Sequence, residues 1–270
     1  AAQANVWFLG EKLYSEKARK QFNEELNSVA AKQQLISQFQ QGLNTGYTNN
    51  SPFFNTYYNN LNSNGIIGSG GYPITTTAFR KEPITSSEIF LTHTGFVGDM
   101  VYDKKHHGGN DKAICCYSAD RFDHWKKELN FDLVPSAFGE NLTLTGEASL
   151  EENVFIGDRY QLGDAIVEVS EPRGPCYIIG IRYNYKPFAK LCQDTGYTGF
   201  YLRTIKEGMV KPDDSLVHMS SHPSKISVMH VNQIRYHDSK NKAELERLAN
   251  LKELTLEWQE LFEVMLRKLS

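Results

Sequence analysis

GDRYQLGDAIVEVSEPRGPC, residues 157–176, shows the fold pattern of this chain most clearly. Two β-prone runs, Asp158–Leu162 and Ala165–Ser170, are separated by the turn signal Gly163-Asp164. Two prolines and a glycine then clamp a short loop, Pro172–Cys176, after the second run. The stretch therefore predicts a strand, a turn, a second strand and a rigid loop that ends at a cysteine.

Short β-prone runs of this kind recur between residues 72 and 232, with turn signals between them. The predicted strands are Tyr72–Arg80, Ser87–Thr94, Ala113–Tyr117, Asn141–Thr145, Asp158–Leu162, Ala165–Ser170, Met209–Lys211 and Lys225–Val231. The predicted helices are Ala119–Leu129 and Pro187–Thr195, while Gly199–Ile205 fits a helix or a strand. Many short strands with few helices favour a mostly β fold, a closed or nearly closed β-barrel, over a parallel α/β sheet.

The regions on both sides of this barrel differ from it in composition. Residues 1–71 contain a helix-like stretch, Ser15–Gln41, and then an Asn- and Tyr-rich segment. They are predicted to be an extension or linker, and an arm that packs on a neighbour is the alternative. Apolar residues three and four apart in Leu251–Leu269 predict helix. The predicted parts are thus the extension, the barrel at 72–235 and a small C-terminal helical subdomain at 236–270.

Composition and charge disfavour several classes of protein. The chain has 29 Lys and Arg against 32 Asp and Glu, a formal charge of −3 at pH 7, so we expect neither nucleic-acid nor membrane binding. No apolar run approaches the roughly 20 residues that cross a bilayer, and a cytoplasmic location is expected. The four cysteines form no Cys-x-x-Cys pair, which disfavours a zinc site or a disulfide framework. Serine-hydrolase, Walker-loop and His-Glu-x-x-His motifs are absent.

Two clusters contain polar residues that could bind a ligand. In HHGGNDK, residues 106–112, the glycines Gly108 and Gly109 let a backbone approach a ligand, and His107 and Lys112 could hold a phosphate. In FGEN, residues 138–141, the Glu140 carboxylate could bond the two N–H donors of a guanidine-like ring. Each cluster also fits a purely structural turn.

Cys176 differs from the other three cysteines in its surroundings. Cys115 and Cys116 lie in an apolar run, and Cys192 follows a helical leucine, so all three are predicted to be buried. Cys176 lies in the proline-clamped loop close to Arg173, and a nearby cation favours the thiolate form that soft metals bind.

Taken in order along the chain, these clusters resemble the MOSC domain family (molybdenum cofactor sulfurase C-terminal domain), and specifically its YiiM-like branch. The matching segments are Thr77–Lys81, Gly95–Asp99, His107–Gly109, Asp111–Ala113, Tyr117, Trp125, Phe138–Asn141, Gly157-Asp158, Pro172–Cys176 and Thr195–Gly199. The helical tail is also similar to the C-terminal extension of this branch. The front departs from the family pattern, in which a strand precedes Thr77–Lys81, and Asn5–Leu9 or Ile66-Ile67 could supply that strand.

The resemblance implies a MOSC-type β-barrel that binds the molybdenum cofactor, molybdopterin with molybdenum, and an oxidoreductase activity. It implies reduction of small N-hydroxylated compounds, such as hydroxylaminopurine base analogues, with electrons from an external donor protein. Cys176 is the predicted catalytic residue and metal ligand. The predicted cofactor-binding residues are Arg173, His107, Gly108, Gly109, Lys112, Glu140 and Asn141.

Two alternatives and the oligomeric state stay open at this point. The chain could instead be a sulfur carrier that uses a Cys176 persulfide, since other MOSC members are linked to sulfur transfer. It could also be a non-catalytic cofactor-binding module. A homodimer is compatible with the sequence, which does not fix the oligomeric state.

Overall fold

A computed structural model of the chain describes residues 2–8, 82–83, 87–97, 99, 108–130 and 132–269. All of these residues belong to one compact unit, Ala1–Gly10 with Thr77–Ser270. The predicted helix Ser15–Gln41, the predicted strand Tyr72–Arg80 and the candidate site residue His107 lie outside the described residues.

Eleven strands and six α-helices lie within the described part of the chain. The strands are β1 (Ala2–Phe8), β2 (Glu82–Pro83), β3 (Ile89–Thr92), β4 (Gly95–Phe96), β5 (Ile114–Ser118), β6 (Leu142–Thr145), β7 (Arg159–Leu162), β8 (Ala165–Pro172), β9 (Phe200–Lys206), β10 (Gly208–Val210) and β11 (Ser215–Ser220). The helices are α1 (Phe122–Leu129), α2 (Ile178–Arg182), α3 (Phe188–Thr195), α4 (Val228–Tyr236), α5 (Lys242–Ala249) and α6 (Leu256–Arg267). Short 3₁₀ turns occur at Asn110–Lys112, Ala119–Arg121 and Glu147–Ser149.

Eight of the strands form a curled, mixed sheet in the order β11-β7-β8-β9-β5-β6-β1-β2, in which the first seven make up the ring of the barrel. β1 also pairs with β11, so the sheet closes on itself. β5 and β6 run parallel, and the other neighbours in this ring are antiparallel. A smaller sheet has the order β10-β3-β4. The predicted closed or nearly closed β-barrel is confirmed.

β1 supplies a barrel strand whose position the sequence left open. Ala2–Phe8 pairs with both β6 and β11, so the start of the chain supplies a barrel strand, as the alternative Asn5–Leu9 proposed. These residues therefore do not belong to an extension, although residues 1–71 were assigned to one. The other predicted domain boundaries stay predictions.

β8 leads from the barrel core directly to the proline-clamped loop. Ala165, Val167 and Val169 are fully buried in the core, as expected of a strand rich in β-branched residues that is covered by other elements. The polar side chains of β8 are buried as well, and Glu168 is held by Arg159 and Arg203. The end of β8 is therefore fixed in place just before Pro172.

The predicted small C-terminal helical region is confirmed, and it consists of α4, α5 and α6. α4 lies almost entirely before residue 236, where the subdomain was predicted to begin. The hydroxyl of Ser227 accepts a hydrogen bond from the amide of His230 at 3.1 Å, which begins α4. The predicted strand Lys225–Val231 is therefore wrong, because this cap overrides the strand preference of its β-branched residues. Within the ranges the structure describes, no helix is long and apolar enough to cross a membrane.

Candidate functional site

The loop that follows β8 places Cys176 at the surface, just before α2. Pro172 still pairs with Phe200 of β9, and the amide of Arg173 donates to the carbonyl of Gly199 at 3.0 Å. The chain therefore leaves the barrel only after Arg173. Cys176 is a free, half-buried thiol. The other three cysteines are free but buried, as predicted, so solvent reaches the thiol of Cys176 most easily.

Arg173 points its charge into the protein interior. The residue is 2% exposed, and its Nη1 has no hydrogen-bond partner among the described residues. Burial opposes the charge of the guanidinium, yet the thiols of Cys115, Cys192 and Cys176 and the hydroxyl of Tyr201 together raise its pKa. A buried cation with an unpaired N–H group is costly unless an anion completes its bonding. The geometry thus fits an anionic ligand beside Cys176.

An aromatic cluster lies against the guanidinium and was not predicted as a unit. The ring of Phe138 lies 6.0 Å from the guanidinium carbon of Arg173 and stacks on Tyr117, with ring centres 3.6 Å apart. Trp125 donates its indole N–H to the hydroxyl of Tyr117. All three aromatic side chains are buried. Tyr117 and Trp125 carried part of the family resemblance, and only the structure shows that they support Phe138.

The glycine turn of the first cluster is docked on β8, close to the Cys176 loop. Gly109 is exposed and has a φ of 101°, a backbone conformation that favours glycine. The hydroxyl of Ser170 donates to the carbonyl of Asp111 at 2.6 Å, which ties the following 3₁₀ turn to β8. The charge of Lys112 is already engaged, because its Nζ lies 2.6 Å from Oε2 of Glu257 and 3.5 Å from Oε1 of Glu171. Gly108 is half-buried at the start of this turn.

Glu140 directs its carboxylate to its own turn. Oε1 accepts hydrogen bonds from the amide of Ser136 at 2.6 Å and the hydroxyl of Thr143 at 2.8 Å, while Oε2 accepts one from the amide of Phe138 at 2.9 Å. Burial raises the pKa of this carboxyl, and these hydrogen bonds oppose the rise. Both oxygens are occupied, so the structural role foreseen for this residue is present. A pterin contact of Glu140 stays a prediction.

Asn141 joins the same turn to β5. Its Oδ1 accepts the amide of Cys115 at 3.0 Å, and its Nδ2 donates to Oδ2 of Asp99 at 2.6 Å. Its own amide donates to the carbonyl of Cys115 at 2.7 Å. Asn141 therefore fixes the position of Cys115, an electrostatic neighbour of Arg173. Its predicted contact with a cofactor is not tested by this geometry.

Sequence reasoning overlooked Glu171, a carboxyl that is 1% exposed at the end of β8. Its signal was an acidic residue that directly follows the predicted strand Ala165–Ser170 and directly precedes Pro172. Among the described residues, no group of three or more His, Cys, Asp or Glu could hold a metal ion.

Comparisons with known proteins identify two segments of the chain. A family model described as MOSC domain matches residues 103–217, and one described as YiiM-like, 3-alpha helix domain matches residues 226–269. The second segment contains α4, α5 and α6. The two matches therefore agree with the barrel and the helical subdomain that the structure describes.

Individual relatives match about two thirds of this chain. YflK of Bacillus subtilis (strain 168) is 41% identical over 186 residues, which are 69% of this chain and 83% of YflK. YiiM of Escherichia coli (strain K12) is 34% identical over 63% of this chain and 76% of its own length. A protein named Reductase from Gibberella moniliformis is 32% identical over 62% of this chain and 30% of its own length. The crystal structure of YiiM from Geobacillus stearothermophilus superposes with a TM-score of 0.62 at 32% identity, over 70% of this chain and 89% of that one.

Proposed function

Because the chain belongs to the MOSC domain family and to its YiiM-like branch, we propose that it binds the molybdenum cofactor and reduces N-hydroxylated compounds, with Cys176 as the metal ligand. The observation that carries the proposal is the buried Arg173 guanidinium, whose Nη1 has no partner among the described residues, beside the free thiol of Cys176. The relative named Reductase supports an oxidoreductase.

The residues of the candidate site fit an anionic cofactor that carries a soft metal. The Cys176 thiolate would bind the metal, since molybdenum with sulfur ligands accepts a further thiolate. Arg173 would hold an anionic group of the cofactor, because its Nη1 is buried and has no hydrogen-bond partner among the described residues. His107, Gly108, Gly109 and Lys112 are proposed to face the phosphate, and Glu140 and Asn141 to frame the pterin.

The proposed reaction converts N–OH, two electrons and two protons into N–H and water. When bound, the cofactor would supply the two-electron redox chemistry of this reaction. The protein would contribute position and electrostatics: the clamped loop fixes Cys176, and the aromatic cluster keeps water from the Arg173 side. We propose that an external donor protein delivers the electrons.

The test compares wild type with Cys176→Ser and with Cys116→Ala, a matched change at a buried cysteine of the barrel core. Each protein is produced in cells that make the cofactor, and its molybdenum, its pterin and its reduction of a hydroxylamine are measured. We expect wild type and Cys116→Ala to contain molybdenum and to reduce the substrate. Cys176→Ser should lose turnover, and full activity of this variant would exclude Cys176 as the metal ligand.

Sulfur transfer is the second candidate function, and the half-buried position of the Cys176 thiol favours it, since a persulfide needs room and access. Mass spectrometry of Cys176 would then detect one added sulfur atom, and no hydroxylamine would be reduced. A protein that holds neither molybdenum nor pterin nor a persulfide would instead be a non-catalytic module.

A further inference from the structure

Glu171 joins three parts of the molecule through one buried carboxylate. Its Oε1 lies 3.5 Å from Nζ of Lys112, in the turn that follows the two glycines. Its Oε2 accepts a hydrogen bond from the hydroxyl of Thr255, at the start of α6, at 2.6 Å. Nζ of Lys112 also lies 2.6 Å from Oε2 of Glu257, in the first turn of α6. The barrel, the glycine turn and the C-terminal helices therefore meet at this group.

The side chain of Thr255 does not make the hydrogen bond that is usual for a threonine at its position in a helix. A threonine at a helix N-cap usually accepts a hydrogen bond from an amide of the first turn, which stabilises the helix by about 1 kcal/mol. Thr255 is the N-cap of α6, yet its side chain makes no capping hydrogen bond. Its hydroxyl instead donates to Glu171, 84 residues away in sequence. α6 therefore lacks the stabilisation of this capping hydrogen bond, and the Thr255 hydroxyl contacts β8, the strand that leads to Cys176, instead.

Glu171 directly precedes Pro172–Cys176, the loop of the candidate site. The next residue is Pro172, whose ring fixes φ, and Arg173 follows with its amide bonded to the Gly199 carbonyl. A shift of Glu171 would therefore be transmitted to the Arg173 guanidinium and to the Cys176 loop.

The carboxyl is also poised between two charge states. Burial raises the pKa of Glu171 to about 7, and the negative charge of Glu257 adds to this rise. The positive charge of Lys112 and the hydrogen bond from the hydroxyl of Thr255 oppose it. The Tyr201 hydroxyl on β9 is a further electrostatic neighbour, and the nearby Asp111 is paired with Arg203 at 2.8 Å. An ionised buried carboxylate needs its donors far more than a neutral one, so the loss of a donor should matter most above neutral pH.

We propose that Glu171 is a positioning residue of the candidate site, which acts through Arg173, and that Thr255 and Glu257 make the C-terminal helices part of that site by holding Glu171 and Lys112. The inference rests on the proposed function only where the bound cofactor is concerned. The contacts of Glu171 with Thr255 and Lys112 belong to the protein alone, so their effect on the Cys176 loop can be measured without cofactor.

The first readout is the rate at which iodoacetamide alkylates Cys176, located by mass spectrometry, because this rate reports opening of the loop. Thr255→Val is compared with wild type at the same pH, with Thr255→Ser as the conservative variant. Thr92→Val is the matched control, since it removes a hydroxyl hydrogen bond of 2.8 Å in the small sheet. At pH 8 we expect Thr255→Val to react about tenfold faster than wild type. Thr255→Ser and Thr92→Val should match wild type.

The pH profile separates positioning from general structural damage. The ratio of the Thr255→Val rate to the wild-type rate should fall towards unity at pH 6, where Glu171 is protonated. In a Glu171→Gln background, Thr255→Val should have little effect at either pH. An equal rate for Thr255→Val and wild type at pH 8, or a ratio that does not change with pH, would overturn the proposal.

Molybdenum content is the second readout and keeps the two proposals apart. If wild type binds molybdenum, Thr255→Val should lose it faster than Thr255→Ser during dialysis at pH 8. If wild type binds none, the proposed function fails, and the alkylation rates still decide whether Thr255 and Glu171 hold the Cys176 loop in place.

Discussion

The turn Phe138–Asn141 and the loop Pro172–Cys176 use their polar groups in opposite ways. Glu140 fills both carboxylate oxygens with hydrogen bonds from its own surroundings, and Asn141 bonds Cys115 and Asp99. Arg173 is equally buried but keeps an unpaired N–H among the described residues, and Cys176 keeps a free thiol. On the proposed function, the first pair of residues builds the frame of the site and the second pair binds the ligand.

The largest expected effect on stability is that of Glu140→Ala. The change leaves the buried amides of Ser136 and Phe138 without an acceptor, so we expect a loss of about 4 kcal/mol in the free energy of unfolding. Urea denaturation measures it, with Glu147→Ala as the exposed control, which should change stability by less than about 0.5 kcal/mol. Equal stability of the two variants would mean that Glu140 does not build the frame.

Glu171 gives the second prediction, which concerns pH. Its pKa is raised from 4.5 to about 7 in the folded protein, so the folded state holds a proton that the unfolded chain releases. The associated stability is complete below pH 4.5 and is lost as the pH rises through 7, by up to about 3 kcal/mol. Unfolding curves measured between pH 5 and pH 8 should therefore show that the free energy of unfolding of wild type falls relative to that of Glu171→Gln. Parallel pH profiles would contradict the raised pKa.

A smaller loss is expected for Asn141→Ala. The amide of Cys115 would lose one acceptor and Asp99 one donor, which should lower the free energy of unfolding by about 2 kcal/mol. Asn153→Ala is the matched control, since it removes an exposed bond of 2.8 Å to the carbonyl of Glu147. Equal unfolding of the two variants would contradict the assignment of Asn141 to the frame of the site.

The smallest effect is expected for Arg173→Met, although Arg173 is among the most buried charges. Its removal eliminates a buried charge that lacks full compensation, so the apoprotein should change by less than about 1 kcal/mol or become more stable. Arg121→Met is the contrasting variant, because Arg121 is buried and paired with Glu151 at 3.0 Å. It should lose about 3 kcal/mol. A large loss for Arg173→Met alone would place Arg173 in the frame.

Much of the fold could be predicted because its strands have clear local patterns. The β-prone run Ala165–Ser170 is a strand that extends to Pro172, and Pro187–Thr195 contains α3. β11 was missed because four of its six residues are exposed and SLVHMS has no alternating pattern. The sequence could rank Cys176 above the other cysteines, since apolar neighbours predict burial. It could not show that both oxygens of Glu140 are occupied, because this depends on how the backbone of its own turn folds around the carboxylate. It could not show that Arg173 lacks a partner for Nη1, because the neighbours of this guanidinium are distant in sequence.

The central claim is that Arg173 and Cys176 are the ligand-binding part of the site, and its most direct test is the molybdenum content of Arg173→Met. The variant and wild type are purified from cells that make the cofactor, and their fold is compared by circular dichroism. We predict a folded variant that has lost most of the molybdenum and pterin that wild type retains. A folded Arg173→Met protein with wild-type molybdenum content would contradict the claim.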